Sequence, residues 1–106
     1  MVYMDTALSK NNVLIRLTDE RWLHLTESHS EMAGCYSEVL ETIEDPSSIY
    51  KGTDGEFLAA REVAIDKYLV VVYKEADKSG GFVITAFLTT KVKQLERRRK
   101  IWPQQK

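Results

Sequence analysis

The chain has 106 residues, 43% of them hydrophobic, one cysteine and a formal net charge of −1. That length supplies one domain with one modest core, the lone Cys35 excludes an internal disulfide, and no apolar run approaches the roughly 20 residues of a membrane-spanning helix. With no leader of secretory type at its start, the expectation is a single cytoplasmic domain over 1–106 that makes no membrane contact.

The near-neutral total conceals an asymmetry. Residues 91–106 hold seven cations against Glu96, a net +6, which leaves −7 on residues 1–90. A basic C-terminal tail of this kind either meets an anionic partner or simply keeps the terminus solvated.

Residues 1–12 end in the polar turn Ser9-Lys10-Asn11-Asn12 and carry little to order them, after which Val13 to Leu17 reads as a short strand. Thr18 is a good N-cap, and Asp19 and Glu20 follow where the positive end of a helix dipole favours acids, so a helix is expected over 19–28. Ser30 is a second N-cap candidate. Behind it, Met32, Cys35, Tyr36, Val39, Leu40 and Ile43 share one helical stripe, which predicts a second helix over 31–44 that Asp45-Pro46 ends.

After Pro46 the period changes. Ser48 to Lys51 reads as a short extended piece, Asp54-Gly55 as a turn and Glu56 to Ile65 as a strand; Asp66-Lys67 turns tightly into the β-branched and aromatic strand Tyr68 to Lys74. Glu75 to Gly81 reads as a polar loop and Phe82 to Thr89 as a further strand. The predicted fold class is α+β: an N-terminal helical hairpin packed on one face of an antiparallel β-meander of about four strands, followed by the basic tail.

No Gly-rich phosphate loop occurs, and one cysteine with two histidines does not make a zinc ligand set, so no cofactor or metal is expected. His24 and His29 would lie roughly 140° apart on one uninterrupted helix and could share a ligand only if the helix broke between them.

The segments "LTDERWLHLTESHSEM", "VLETIEDPSSIY", "GEFLAAREV", "YLVVVYK", "GFVITAFLT" and "RRRKIW", in this order over residues 13–102, resemble a family of small prokaryotic and phage toxin-like proteins. That family is grouped with the barnase, EndoU, colicin and RelE (BECR) ribonuclease fold. The resemblance implies a metal-independent endoribonuclease with RNA as substrate and an antitoxin or inhibitor protein as partner. In such enzymes a base takes the 2′-hydroxyl proton, the freed oxygen attacks the adjacent phosphate, and cations meet the growing charge. A histidine suits the first task and arginine or lysine the second.

Carried over on these motifs, the resemblance assigns His29 as acid/base, Arg61 and Lys74 as phosphate stabilisers and Thr85 as a hydrogen-bond donor. Ser30 stands where the family tends to have proline. Arg97, Arg98, Arg99 and Trp102 are the candidate RNA contacts, and His24, beside Trp22 and Leu25, is a secondary candidate with a structural alternative. The catalytic reading requires His29, Arg61 and Lys74 within reach of one phosphate. Against it stand a non-catalytic RNA- or protein-binding module of the same fold and an interaction protein that forms a homodimer through a sheet edge or helix face. The eight acids and single Arg21 of residues 19–45 would repel a phosphate backbone, so RNA would have to meet the sheet and the basic tail.

Overall fold

The structure, a computed structural model, describes residues 4–77 and 79–103. Its elements in chain order are β1 (Met4–Leu8), β2 (Leu14–Thr18), α1 (Asp19–Ser28), a 3-10 turn (Ser30–Met32), α2 (Tyr36–Glu44), β3 (Ser48–Lys51), β4 (Phe57–Ala64), β5 (Lys67–Asp77), β6 (Gly80–Thr89), α3 (Val92–Glu96) and β7 (Lys100–Trp102). The strands form one sheet in the order β1-β2-β6-β5-β4-β3-β7. Only β2 and β6 are parallel; every other neighbouring pair is antiparallel.

The expected helical hairpin on a four-stranded antiparallel meander is therefore corrected to a seven-stranded mixed sheet with three short helices. Three departures account for the difference. Gly34 at φ 87° and Ala33 in an extended conformation interrupt the predicted second helix, so a 3-10 turn precedes an α2 that begins only at Tyr36. Residues 4–8, within the stretch expected to be poorly ordered, form β1 on β2, and the expected basic tail folds back as α3 and as β7 on β3. The loop expected over 75–81 is mostly strand, because the β5–β6 ladder continues to Asp77 and Gly80.

Where the local signals are strong, they hold. Thr18 caps α1 by accepting a hydrogen bond from the Arg21 amide at 3.1 Å, and α2 ends at Glu44 with Asp45 as its C-cap before Pro46.

The sheet separates two apolar clusters. Ile15, Leu17, Ala59, Leu69, Val71, Tyr73, Val83 and Ala86 pack on one face with Leu25 of α1, Met32 of the 3-10 turn and Val39 and Ile43 of α2. Burying a side chain of this size contributes about 1.5–3 kcal/mol, so this covered face holds most of the stability. On the other face Tyr50, Leu58, Ala60 and Val70 cluster with Leu95 of α3, and Tyr68, Val72 and Phe87 pack against them half-buried. We call this the open face.

Polar groups tie the covered side at its margins. The Tyr36 hydroxyl donates to Asp5 at 2.7 Å, and burial together with that carboxylate pushes Tyr36 up to about 12. Trp22 meets Tyr36 edge-on with centroids 5.1 Å apart. The β1–β2 turn folds over the end of the core, where Ser9 and Asn11 donate to Glu75 and the Lys10 ammonium lies 5.0 Å from the Trp102 ring. Among the described residues no helix is long and apolar enough to cross a membrane.

Glycines permit the parallel β2–β6 contact, which pairs Ile15 with Gly81 and Arg16 with Phe82. Gly80 has φ 133°, and a Cβ there would come within 2.9 Å of the Leu14 carbonyl oxygen; a Cβ on Gly81 would sit 2.0 Å from the Lys74 oxygen. Only glycine lets these backbones approach so closely.

Candidate functional site

His29 sits at the break the sequence pointed to. Its amide donates to the Leu25 carbonyl at 2.8 Å as the C-cap of α1, its own carbonyl accepts from Met32 at 2.9 Å, and φ −132° with ψ 78° takes it out of the helical region. The expected Ser30 cap is absent: neither the 3-10 turn nor α2 has a side-chain cap, and Ser30 lies inside the turn. The His29 ring is half-buried, with its centroid 6.0 Å from that of Phe87 and its Nδ1 3.5 Å from a Glu31 carboxylate oxygen. That contact sets Nδ1 against Glu31, and Nε2 is the ring nitrogen on the far side.

Strand alternation decides which candidates share a side. On β5, Leu69, Val71 and Tyr73 are in the covered cluster, so Lys74 points to the open face. On β6, Val83 and Ala86 face the covered cluster, while Phe87 packs against the open-face cluster. An irregularity between Val72 and Tyr73 puts an extra β6 residue in the ladder; Thr85 pairs with Val72 and Phe82 with Lys74, both on the open face. Thr85 and Phe87 are two residues apart on that face, roughly 7 Å, so Lys74, Thr85 and the ring beneath His29 belong to one surface.

Arg61 does not join them. It pairs across β4–β5 with Leu69, on the covered face, and its guanidinium donates to Glu41 of α2 at 3.3 Å. The surface groove around it is lined by Glu38, Glu41, Thr42, Glu62 and Val63, an acidic setting that suits a structural ion pair better than a phosphate. The requirement that Arg61 and Lys74 reach one phosphate fails, because the sheet lies between them.

His24 is exposed on α1 in a polar groove with Thr18, Glu20, Arg21, Glu27 and Ser28. Trp102 is half-buried at the margin of the covered cluster beneath Lys10 and does not lie open beside the arginines. Of the expected basic contacts, Arg98 lines an open-face pocket with Leu58, Phe87, Thr89, Lys91 and Leu95, and Lys100 stands 6.0 Å from the Tyr50 ring; Arg97 and Arg99 are exposed. Two acids lie at this surface, Glu62 beside Tyr68 and Glu56 within electrostatic reach of Arg98 and Lys74. The Glu56 carboxyl is held below the usual range first by the Asp54 amide, with Arg98 and Lys74 adding to the effect.

Sequence reasoning passed over Arg16 and Phe82 on this face. Arg16 lies between Ile15 and Leu17, both fully buried on the covered side, so its side chain emerges on the open face opposite Phe82. The alternation of Leu14, Arg16 and Thr18 with Ile15 and Leu17 was the available signal, but it could not say which face stays open. Among the described residues no group of three or more His, Cys, Asp or Glu side chains could hold a metal ion.

Comparison with known proteins adds no assignment, since no protein-family model, curated protein or solved structure matches the chain.

Proposed function

We propose that the open face of the sheet binds RNA, first as a non-catalytic binding module, with cleavage by His29 at its margin as the second reading. The observation that carries this reading is the sorting of groups across the sheet. Lys74, Thr85 and Phe87, the ring under His29, share the side that holds Arg98, Lys91 and Lys100, while the acids of α1 and α2 flank the other. A polyanion is drawn to the first side and repelled from the second.

In the second reading, favoured by the His29 ring lying against Phe87 at the margin of that face, His29 Nε2 accepts the 2′-hydroxyl proton and the oxygen attacks the adjacent phosphorus. The bond to the 5′-oxygen breaks, and that oxygen takes a proton from water while the imidazolium returns its own to solvent. The products are a 2′,3′-cyclic phosphate and a 5′-hydroxyl. Thr85, two residues from Phe87, donates a hydrogen bond to the attacked phosphate, and Lys74, opposite Phe82 further along the sheet, meets the charge of a neighbouring one.

The binding module stands first because Arg61, the other cation assigned to the phosphate, is turned to Glu41, so the trio that cleavage required does not form. A single assay separates the two. Purified protein is incubated with single-stranded RNA, and binding and end groups are measured together. Cyclic phosphate ends that fall by about 10²–10⁴ in rate on His29→Ala, with binding retained, support cleavage. Binding without any such ends leaves the module alone, and no binding sinks both.

A further inference from the structure

We infer that Phe82, flanked by Arg16 and Lys74, is a stacking platform for one unpaired base, with a phosphate held on either side of it. The inference rests on the RNA-binding reading above and names where on the open face the strand is gripped.

The three side chains form a row fixed by the backbone. Arg16 is the register partner of Phe82 across the parallel β2–β6 pair, and Lys74 is its partner across the antiparallel β5–β6 pair. Neighbouring strands lie about 4.8 Å apart, so the two cations stand one strand away on each side of the ring. Phe82 is 37% exposed although its neighbour Val83 is 1% exposed. A phenylalanine left in water within a sheet forgoes burial energy that a polar residue would not, and α3, which covers Leu58, Ala60 and Val70 on the same face, does not reach it in the open-face cluster.

Among the described residues neither cation is in an ion pair, although Glu56 lies within electrostatic reach of Lys74. The ion pairs among those residues are His29 with Glu31 and Arg61 with Glu41. Gly80 leaves room for the Arg16 guanidinium, since a Cβ there would lie 3.1 Å from its nitrogen. An aromatic surface between two open-face cations is complementary to a single strand, whose bases offer π-faces and whose phosphates offer charge. A folded protein partner would more simply bury Phe82 and pair the cations with acids. That outcome is the one the test must exclude.

The test uses His29→Ala protein, so that the strand stays whole, and follows fluorescence anisotropy with a short labelled oligoribonucleotide and with a matched sugar–phosphate strand that lacks bases. Phe82→Ala and Phe82→Leu should weaken binding of the oligoribonucleotide by about 5- to 150-fold and barely change binding of the baseless strand, while Phe82→Trp should restore it. Arg16→Gln should weaken both strands and lower the salt dependence by about one released counterion. Unchanged affinity in Phe82→Ala, or equal losses on the two strands, overturns the stacking platform while RNA binding stands. If the His29→Ala protein binds neither strand, the RNA-binding reading has failed and takes the platform with it.

Discussion

Arg61 and Arg16 are both half-buried strand arginines, and they lie on opposite sides of the same sheet with opposite fates. Arg61 emerges under α2 and is answered by Glu41, whereas Arg16 emerges beside Phe82 and Lys74 and meets no carboxylate among the described residues. The covered face spends its polar groups on internal contacts, as in the Tyr36–Asp5 hydrogen bond and the Ser9 and Asn11 bonds to Glu75. On the open face Arg16 and Lys74 flank a partly exposed ring and neither is in an ion pair among the described residues. The difference teaches that the type of residue does not mark a phosphate contact; the side of the sheet it leaves from, and what already waits there, decides.

The contrast can be broken most forcefully at the core. Ile43→Ala, on the covered face, should cost about 2–5 kcal/mol in urea unfolding, while Phe82→Ala on the open face should cost under about 1.5 kcal/mol. Comparable losses at the two positions would mean that Phe82 is a packing residue after all. Gly80→Ala comes next. With φ 133° and a close contact to the Leu14 carbonyl, it should lose about 1–3 kcal/mol and shift Arg16, so stability and RNA affinity should fall together.

Charge removal gives smaller effects that separate the faces by their readout. Arg61→Gln should change stability by less than about 1 kcal/mol and leave RNA binding and its salt slope intact, because its partnership is with an exposed Glu41. Lys74→Gln should leave stability unaltered and reduce the salt slope by about one. The smallest effect is in alkali. The folded-state pKa of Tyr36 is raised to about 12, so its contribution is fully present below the ordinary tyrosine value near 10 and is lost as the pH rises from there to about 12. Burial pushes Tyr73 in the same direction. Tyr36→Phe should therefore flatten part of the stability loss over that window, seen in urea midpoints at successive pH values, with RNA binding at neutral pH unaffected.

Much of this molecule was legible where the signal is local. Thr18 with Asp19 and Glu20 marked α1, the stripe from Val39 to Ile43 marked α2, and the β-branched run of Tyr68 to Lys74 marked the central strand. The failures were of partnership. β1 and β7 are short and weakly patterned, and they exist because β2 and β3 offer them edges, which nothing in five or three residues announces. The parallel β2–β6 contact depends on Gly80 and Gly81 approaching from far along the chain. For the site, alternation alone already separated Arg61 from its strand neighbours, but only the placement of α2 says that its face is the covered one. His29 was found because a helix break is a local event. Arg16 was missed because its importance comes from the ring and the lysine that two other strands bring beside it.

The most direct test of the claim that RNA meets the open face is a titration of isotope-labelled His29→Ala protein with a short single-stranded oligoribonucleotide, followed by NMR residue by residue. The account predicts that the largest shifts fall on Arg16, Lys74, Phe82, Thr85, Phe87 and Arg98. Shifts centred on α2, Glu41 and Arg61, or none at saturating RNA, would contradict it.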